Sequence, residues 1–442
     1  MRFFLHGTSV PHRKNTALSP TIHLAPPSEV TIPTSMHIGK PAIPIVKAGD
    51  EVFVGTLIAE QDGAVSSPVH SSVSGKVKGI AEITLPNGVR CSAVKIESDG
   101  NMTLDKNIEP PNVTDKASLL DAVAKSGIVG LGGAGFPTHV KLNANGGKTI
   151  KTLIVNGAEC EPYITSDTRT MVELSEDMYR AISVICDILG IKSVIIGVER
   201  DNKVAIMKMK ELEARDPKIR VFILPTLYPQ GAEKVLVYHT TGKVIPAGKL
   251  PIDVGAVVSN CTTLAAIGDY LKNGIPLVSR CITVDGGSIA SPSNVTVPVG
   301  TSVGDVIKLL GGFREAPYKV LLGGPMMGYS VEDLNTPVMK NTNAVLALSE
   351  SESKPKLETA CIHCGACISH CPFSLNPRAY MYAYKRGDLE ALERLRVDIC
   401  MECGCCSFIC PAGKPLVEIN KLSKAKLREL AKEREEGGRA NG

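Results

Sequence analysis

Two stretches, Cys361-Ile-His-Cys364-Gly-Ala-Cys367-Ile-Ser-His-Cys371-Pro372 and Cys400-Met-Glu-Cys403-Gly-Cys-Cys406-Ser-Phe-Ile-Cys410-Pro411, repeat one pattern. Each reads Cys-x-x-Cys-x-x-Cys-x-x-x-Cys-Pro. Thiolates spaced in this way can wrap their chain round one corner of a cubane cluster. The longer gap and the proline carry the fourth cysteine off to the other cluster. One [4Fe–4S] site is therefore expected on Cys361, Cys364, Cys367 and Cys410, and a second on Cys400, Cys403, Cys406 and Cys371. Cys405 lies inside the second motif but off its register.

Structural zinc would be satisfied by four cysteines and does not ask for a third at the next interval, nor for Cys-Pro in both copies. Disulfide frameworks belong to small secreted scaffolds, which a chain of 442 residues is not. The spacing is that of bacterial two-cluster ferredoxins, and it implies one-electron transfer.

Working outward, the length predicts three or four domains. Hydrophobic content of 43%, charged content of 21% and a net charge of +4 describe a soluble globular chain. That charge is too dilute for a nucleic-acid partner, and 4% aromatics with no Trp offer no base-stacking platform. No apolar run reaches the roughly 18 residues of a membrane span, and Phe3-Phe4-Leu5 is too short for a signal segment. A cytoplasmic location is expected, in keeping with thiols reserved for iron and six further cysteines scattered singly.

Residues 1 to about 30, with His6, His12 and His23, form an irregular arm whose histidines are spaced too unevenly for a metal site. Between Ile38 and Ile96, turns at Gly49, Gly63, Gly75 and Asn87-Gly88 punctuate short apolar runs, which predicts strands. This order resembles the barrel-sandwich fold of lipoyl and biotinyl carrier domains. The turn Glu60-Gln61-Asp62-Gly63-Ala64 lacks the modified lysine of those carriers, so a swinging-arm role is not expected.

A helix over Ser118–Ser126 leads into Gly130-Leu-Gly132-Gly133-Ala-Gly135-Phe-Pro137. A dinucleotide fingerprint should follow a strand and open a helix, which this stretch does not. Its glycines do let backbone N–H groups approach a phosphate or a flat ring. Thr152–Val155 reads as a buried strand ending in Asn156-Gly-Ala158-Glu159-Cys-Glu161-Pro-Tyr163. Helices over 174–189 and 203–214 alternate with strands over 193–196 and 220–224, implying a largely parallel sheet. Tyr228-Pro-Gln-Gly231-Ala232-Glu233 follows, and Ser259-Asn260-Cys-Thr-Thr263 opens another helix.

The segments 130–141, 156–163, 228–234 and 258–265 resemble the FMN- and NADH-binding segments of the flavoprotein subunit of respiratory complex I. With the arm, the carrier-like domain and the two-cluster tail, nearly the whole chain is similar to the C subunit of Rnf-type ion-translocating electron transport complexes. The resemblance implies FMN, bound non-covalently, against Gly130, Gly132, Gly133, Gly135 and Lys141. Asn156 would hold the flavin, Glu159 and Glu161 would face the nicotinamide, and Tyr228, Gly231 and Glu233 would close the nucleotide pocket. Asn260 and Thr263 would contact the flavin phosphate at a helix N-terminus. Ala158 and Ala232 stand where the complex I flavoprotein has acidic residues. Three converging glutamates without an arginine favour NAD(H) over NADP(H).

The expected architecture is multidomain α/β. It comprises an arm and barrel-sandwich β domain (1–112), a Rossmann-like FMN/NADH domain (113–278) and a soluble-ligand-binding β-grasp domain (279–350). A helical ferredoxin-like domain with two [4Fe–4S] clusters (351–425) and a charged tail (426–442) complete it. In the β-grasp segment a helix over Ser302–Leu310 is expected, with Met326 and Met327 in a packed loop. The helix over 417–435 has a partial apolar stripe, diluted by Glu429, Glu433, Glu435 and Glu436, which suits packing better than a membrane surface.

The function implied is that of a peripheral subunit on the cytoplasmic face of the membrane, with no transmembrane segment. It would exchange hydride between NAD(H) and FMN and relay single electrons, with no catalytic side chain. Its partners would be the membrane-bound subunits of the same complex, including an iron–sulfur subunit that receives electrons from ferredoxin. A soluble NADH-dependent cobalamin reductase and a non-enzymatic electron-relay adaptor are the alternatives.

Overall fold

A computed structural model describes residues 5–143 and 148–440, with side chains as far as residue 434. Phe3, Phe4 and the side chains of Glu435 and Glu436 lie outside the described residues. The N-terminal domain pairs a four-stranded antiparallel sheet (Glu29–Pro33, Arg90–Ser98, Gly75–Thr84, Glu51–Val52) with a smaller sheet (Ile43–Pro44, Leu57–Glu60, Val69–His70). Val30, Ile32, Ile58, Val69, Val77, Val94 and Ile96 fill the space between them. In Arg90–Ser98 burial roughly alternates, as expected of a strand with one face on a core.

The central domain is a four-stranded parallel sheet: β1 (Thr152–Gly157), β2 (Ser193–Glu199), β3 (Ile219–Leu224) and β4 (Ala256–Asn260), in spatial order 3-2-1-4. Leu153, Ile154 and Val155 are fully buried, as strands covered on both faces require. The crossovers carry helices α1 (Ser166–Glu173), α2 (Ser175–Leu189), α3 (Lys203–Arg215) and α4 (Glu233–Thr241), and α5 (Cys261–Asn273) follows β4. Helix α1 was not anticipated from the sequence, because Ser166-Asp-Thr-Arg-Thr is rich in residues that compete for backbone hydrogen bonds. Gly190, at a φ of 68°, closes α2 in the left-handed conformation. Strand order reverses between β1 and β4, and there Asn156 and Asn260 lie side by side in register at the C-terminal edge.

A six-stranded mixed sheet follows, in the order Ile22–His23, Ser293–Pro298, Ser279–Asp285, Ala344–Leu348, Lys319–Leu322, Tyr329–Val331. Its first strand comes from the N-terminal arm and runs parallel to Ser293–Pro298, so the arm belongs to this sheet as much as to its own domain. A helix over Val303–Leu309 packs on it, with Ser302 Oγ accepting from Asp305 N–H as the cap. The C-terminal region is helical. Its last helix, Leu416–Ala440, runs unbroken through the division expected at residue 425, because no glycine or proline interrupts 416–436. No described helix is long and apolar enough to cross a membrane.

Candidate functional site

The glycine-rich loop begins where helix Lys116–Lys125 ends. The Gly130 N–H donates to Phe136 O at 2.8 Å, closing the loop, and Gly132, Gly133 and Ala134 form its exposed tip. The tip lies against the β1/β4 crevice: a Cβ on Gly132 would fall 2.5 Å from Asn260 Nδ2. Gly135, at a φ of +70°, has Met36 O only 3.0 Å from where its Cβ would stand. A Cβ on Gly133 would meet nothing within 4 Å. The N–H groups of Gly132, Gly133 and Ala134 have no hydrogen-bond partner among the described residues. A tip with free N–H groups and no side chain larger than a methyl is suited to a phosphate or a ring edge.

Asn260 caps α5, its Oδ1 accepting from the N–H groups of Thr262 (2.9 Å) and Thr263 (3.3 Å), while its Nδ2 donates to Asp167 Oδ2 at 2.7 Å. Thr263 departs from expectation. It is buried, and its hydroxyl accepts from the Leu131 N–H at 2.9 Å, so it holds the loop from behind and has no free face for a phosphate. Asn156 is likewise committed: Nδ2 donates to Gly231 O at 2.9 Å, and Oδ1 accepts from the Ala158 N–H at 3.1 Å. It ties the end of β1 to the Tyr228–Glu233 segment.

The three glutamates expected to converge on a nucleotide do not share one pocket-facing role. Glu159 is 7% exposed and accepts from Asp167 N–H, Thr168 N–H and Thr168 Oγ1 at the N-terminus of α1. Glu161 accepts from the Met326 N–H at 3.0 Å and abuts Gly324, bracing the loop after Lys319–Leu322. Glu233 pairs with Lys141 at 2.6 Å, both about one-third exposed. The repulsion argument for NAD(H) over NADP(H) therefore loses its premise, because two of the carboxylates serve backbone donors and the third has a cation beside it.

Burial drives the Glu159 and Glu161 carboxyls each up to about 7, although Lys14 opposes it. Sequence reasoning missed three groups here. Lys14, on the arm, donates to the carbonyls of Glu159 (2.5 Å), Glu161 (2.9 Å) and Ile164 (2.5 Å) and so fixes the turn after β1. Asp167 links Asn260 to Thr262. Glu199, at the end of β2, accepts from the Glu159 N–H at 3.1 Å while its Oε1 is buried without a partner, and burial raises it to about 7. An acidic residue at the start of a helix was the available signal for Asp167. Nothing local marks Lys14.

Tyr228 is 2% exposed, and its hydroxyl donates to Cys403 O at 2.7 Å. The Cys405 thiol points back at Tyr228 O, and Val10, Met326 and Cys160 pack round the same seam. Thr8 and Tyr228 exchange backbone hydrogen bonds of 2.9 and 3.0 Å, stitching the arm over it. The central domain thus packs directly on the Cys400–Cys406 segment.

In the C-terminal domain, Cys371, Cys400, Cys403 and Cys406 line one hollow of about 370 Å³ of empty space, and Cys361, Cys364, Cys367 and Cys410 line another of about 390 Å³. Each hollow takes its fourth cysteine from the other repeat. Among the described residues no three such side chains close on a single ion. An all-thiol set around such a hollow fits an iron–sulfur cube. Cys405 lines the first hollow as well, but its sulfur is turned to Tyr228.

Four family descriptions match the chain in order: "RnfC Barrel sandwich hybrid domain" over residues 3–101, "Nuo51 FMN-binding domain" over 123–269, "SLBB domain" over 281–330 and "4Fe-4S dicluster domain" over 359–416. The chain is 42% identical over 369 residues to the C subunit of the proton-translocating ferredoxin:NAD(+) oxidoreductase complex of Clostridium ljungdahlii, covering 83% of this chain and 80% of that protein. It is 41% identical over 378 residues to the C subunit of the Na(+)-translocating complex of Acetobacterium woodii, covering 85% of each. Against the C subunit of the ion-translocating oxidoreductase complex of Rhodobacter capsulatus, identity is 38% over 412 residues, 91% of this chain and 79% of that one. Among solved structures, an NAD+-reducing [NiFe]-hydrogenase in the H2-reduced state aligns with a TM-score of 0.50 at 19% identity, over 73% of this chain and 67% of that chain, a likeness of fold. With the sulfur sets, the glycine loop and these relatives in agreement, the chain belongs to the C-subunit family of ion-translocating ferredoxin:NAD(+) oxidoreductase complexes.

Proposed function

We propose that this chain is the NAD(H)-reacting subunit of a membrane-bound ferredoxin:NAD(+) oxidoreductase, with FMN at the Gly130–Gly135 loop and [4Fe–4S] clusters in the two thiol-lined hollows. Bound FMN supplies the conversion between a two-electron hydride and single electrons, and the clusters supply the one-electron steps. The observation that carries this reading is the seam in which Tyr228, from the segment beside the crevice, hydrogen-bonds Cys403 of the Cys400 set.

The chain's own residues bind, orient and insulate. The free N–H groups of Gly132, Gly133 and Ala134 bind the flavin phosphate or ring edge, beside the N-terminus of α5 capped by Asn260. Asn156 fixes Gly231, and the Lys141–Glu233 pair stands partly exposed where a nucleotide would approach. Tyr228 and Met326 exclude water from the route to the Cys400 set. Among the described residues the hollow of the Cys361 set is lined by residues 361–416 alone, with Cys364 and Ile362 exposed. The Cys400 set accordingly faces the flavin domain, and the Cys361 set faces a partner on the membrane complex, an iron–sulfur subunit by this reading. The chain lies on the cytoplasmic face as a peripheral subunit.

Anaerobic purification followed by iron, sulfide and flavin analysis tests the assignment. About eight irons and one FMN per chain are expected, with NADH bleaching the flavin and generating cluster EPR signals. Cluster signals without a flavin that NADH can bleach would leave only the electron-relay adaptor.

A further inference from the structure

The glycine loop is gripped from outside its own domain. Lys340, fully buried in the sheet domain of residues 279–348, donates to Gly127 O at 2.7 Å and to Pro68 O of the N-terminal domain at 2.6 Å. Arg280, 2% exposed, donates to Thr342 O at 3.1 Å and to Leu131 O at 3.4 Å. Asn341 Nδ2 donates to Gly133 O at 3.1 Å. The Ile38 N–H of the N-terminal domain donates to Gly135 O at 3.1 Å. Four carbonyls between Gly127 and Gly135 are thus drawn toward neighbouring domains.

A trans peptide points its C=O and the following N–H in opposite directions. Drawing Leu131 O toward Arg280 therefore turns the Gly132 N–H the other way, and drawing Gly133 O toward Asn341 does the same for the Ala134 N–H. Those N–H groups are among the ones left free at the tip. A flexible glycine loop would sample many peptide orientations and lose that entropy on binding. The grip removes the loss in advance. Gly127 is part of it: at a φ of +67° it leaves room where a Cβ would come within 2.9 Å of Lys340 Nζ and 3.2 Å of His70 Nδ1.

We propose that Arg280, Lys340 and Asn341 are positioning residues by which the sheet domain of residues 279–348 holds the Gly127–Gly135 loop open as an anion-binding nest for the FMN phosphate. This rests on the flavin reading above. In this chain the sheet domain then serves as a flavin-site scaffold, coupling the seating of three domains to flavin affinity.

The test uses the full chain stripped of flavin and reconstituted, with FMN and riboflavin titrated separately. Asn341→Leu and Arg280→Met are expected to weaken FMN binding about tenfold each and riboflavin much less, with the amide-exchange protection that FMN confers on Gly132–Ala134 reduced and full iron content. Asn341→Gln, which keeps a donor, should recover most of the FMN affinity. Lys340→Met should act in the same direction, but because Lys340 and Arg280 are both buried, the two Asn341 variants decide the matter if either fails to fold. Equal weakening of FMN and riboflavin, or unchanged FMN affinity with unchanged exchange, would overturn the clamp. Gly133→Val separates the two readings. If it abolishes FMN binding while the clamp variants bind normally, the clamp alone falls; if it too binds normally, the flavin assignment falls with it.

Discussion

Gly133→Val isolates what the loop is for. Gly133 does not have a positive φ, and its added Cβ meets no atom within 4 Å, so the fold has no reason to resist the change. The expected stability change is within about 0.5 kcal/mol, the range of an ordinary surface substitution. Binding is another matter. A valine at the tip would hold a phosphate off the neighbouring N–H groups, and each charge-assisted hydrogen bond lost is worth roughly 1.5–3 kcal/mol. Loss of two such bonds amounts to at least about 3 kcal/mol, or roughly a hundredfold in Kd. Fluorescence titration of flavin-free protein gives the affinity, chemical denaturation the stability, and iron analysis the clusters. A Kd within threefold of the parent would refute the loop as cradle. An unfolding loss above about 2 kcal/mol would refute the geometric argument that the tip is unsupported space.

Cys371→Ala should remove the EPR signal of the Cys400 set and spare that of the Cys361 set; the opposite loss would refute crossed ligation. Cys405→Ala should retain about eight irons per chain, since its sulfur faces Tyr228 O, and a loss of four would make it a ligand. Tyr228→Phe leaves Cys403 O without its 2.7 Å donor and should destabilise the seam by about 1–3 kcal/mol, slowing cluster reduction by NADH while flavin reduction keeps its rate. Glu199, raised by burial to about 7 with Lys14 opposing and Asp201 adding to the shift, contributes stability that is complete below pH 4.5 and lost as pH rises through 7. Glu199→Gln should therefore stabilise the chain by on the order of 2–3 kcal/mol at pH 8.5 and much less at pH 5.5, as read by urea unfolding. Equal effects at both values would mean that Glu199 does not titrate there.

The cysteine spacing alone sorted the sulfurs into the two crossed sets that line the two hollows, because the repeated motif carries its own register. The alternation of apolar runs with helical stretches from 152 to 224 likewise announced a parallel sheet, since buried strands and crossover helices have different periods. The glycine loop was legible as a place of close approach, but not the direction of its N–H groups. That direction depends on Arg280, Lys340 and Asn341, at least 140 residues away in sequence. The glutamates show the same limit. Glu159, Glu161 and Glu233 looked like one acidic lining when read along the chain, and tertiary structure gave them three employers: the start of α1, the Met326 loop and Lys141. Burial and partners are set by which elements pack together. Two carboxylates two residues apart can therefore serve different elements while burial pushes both upward alike.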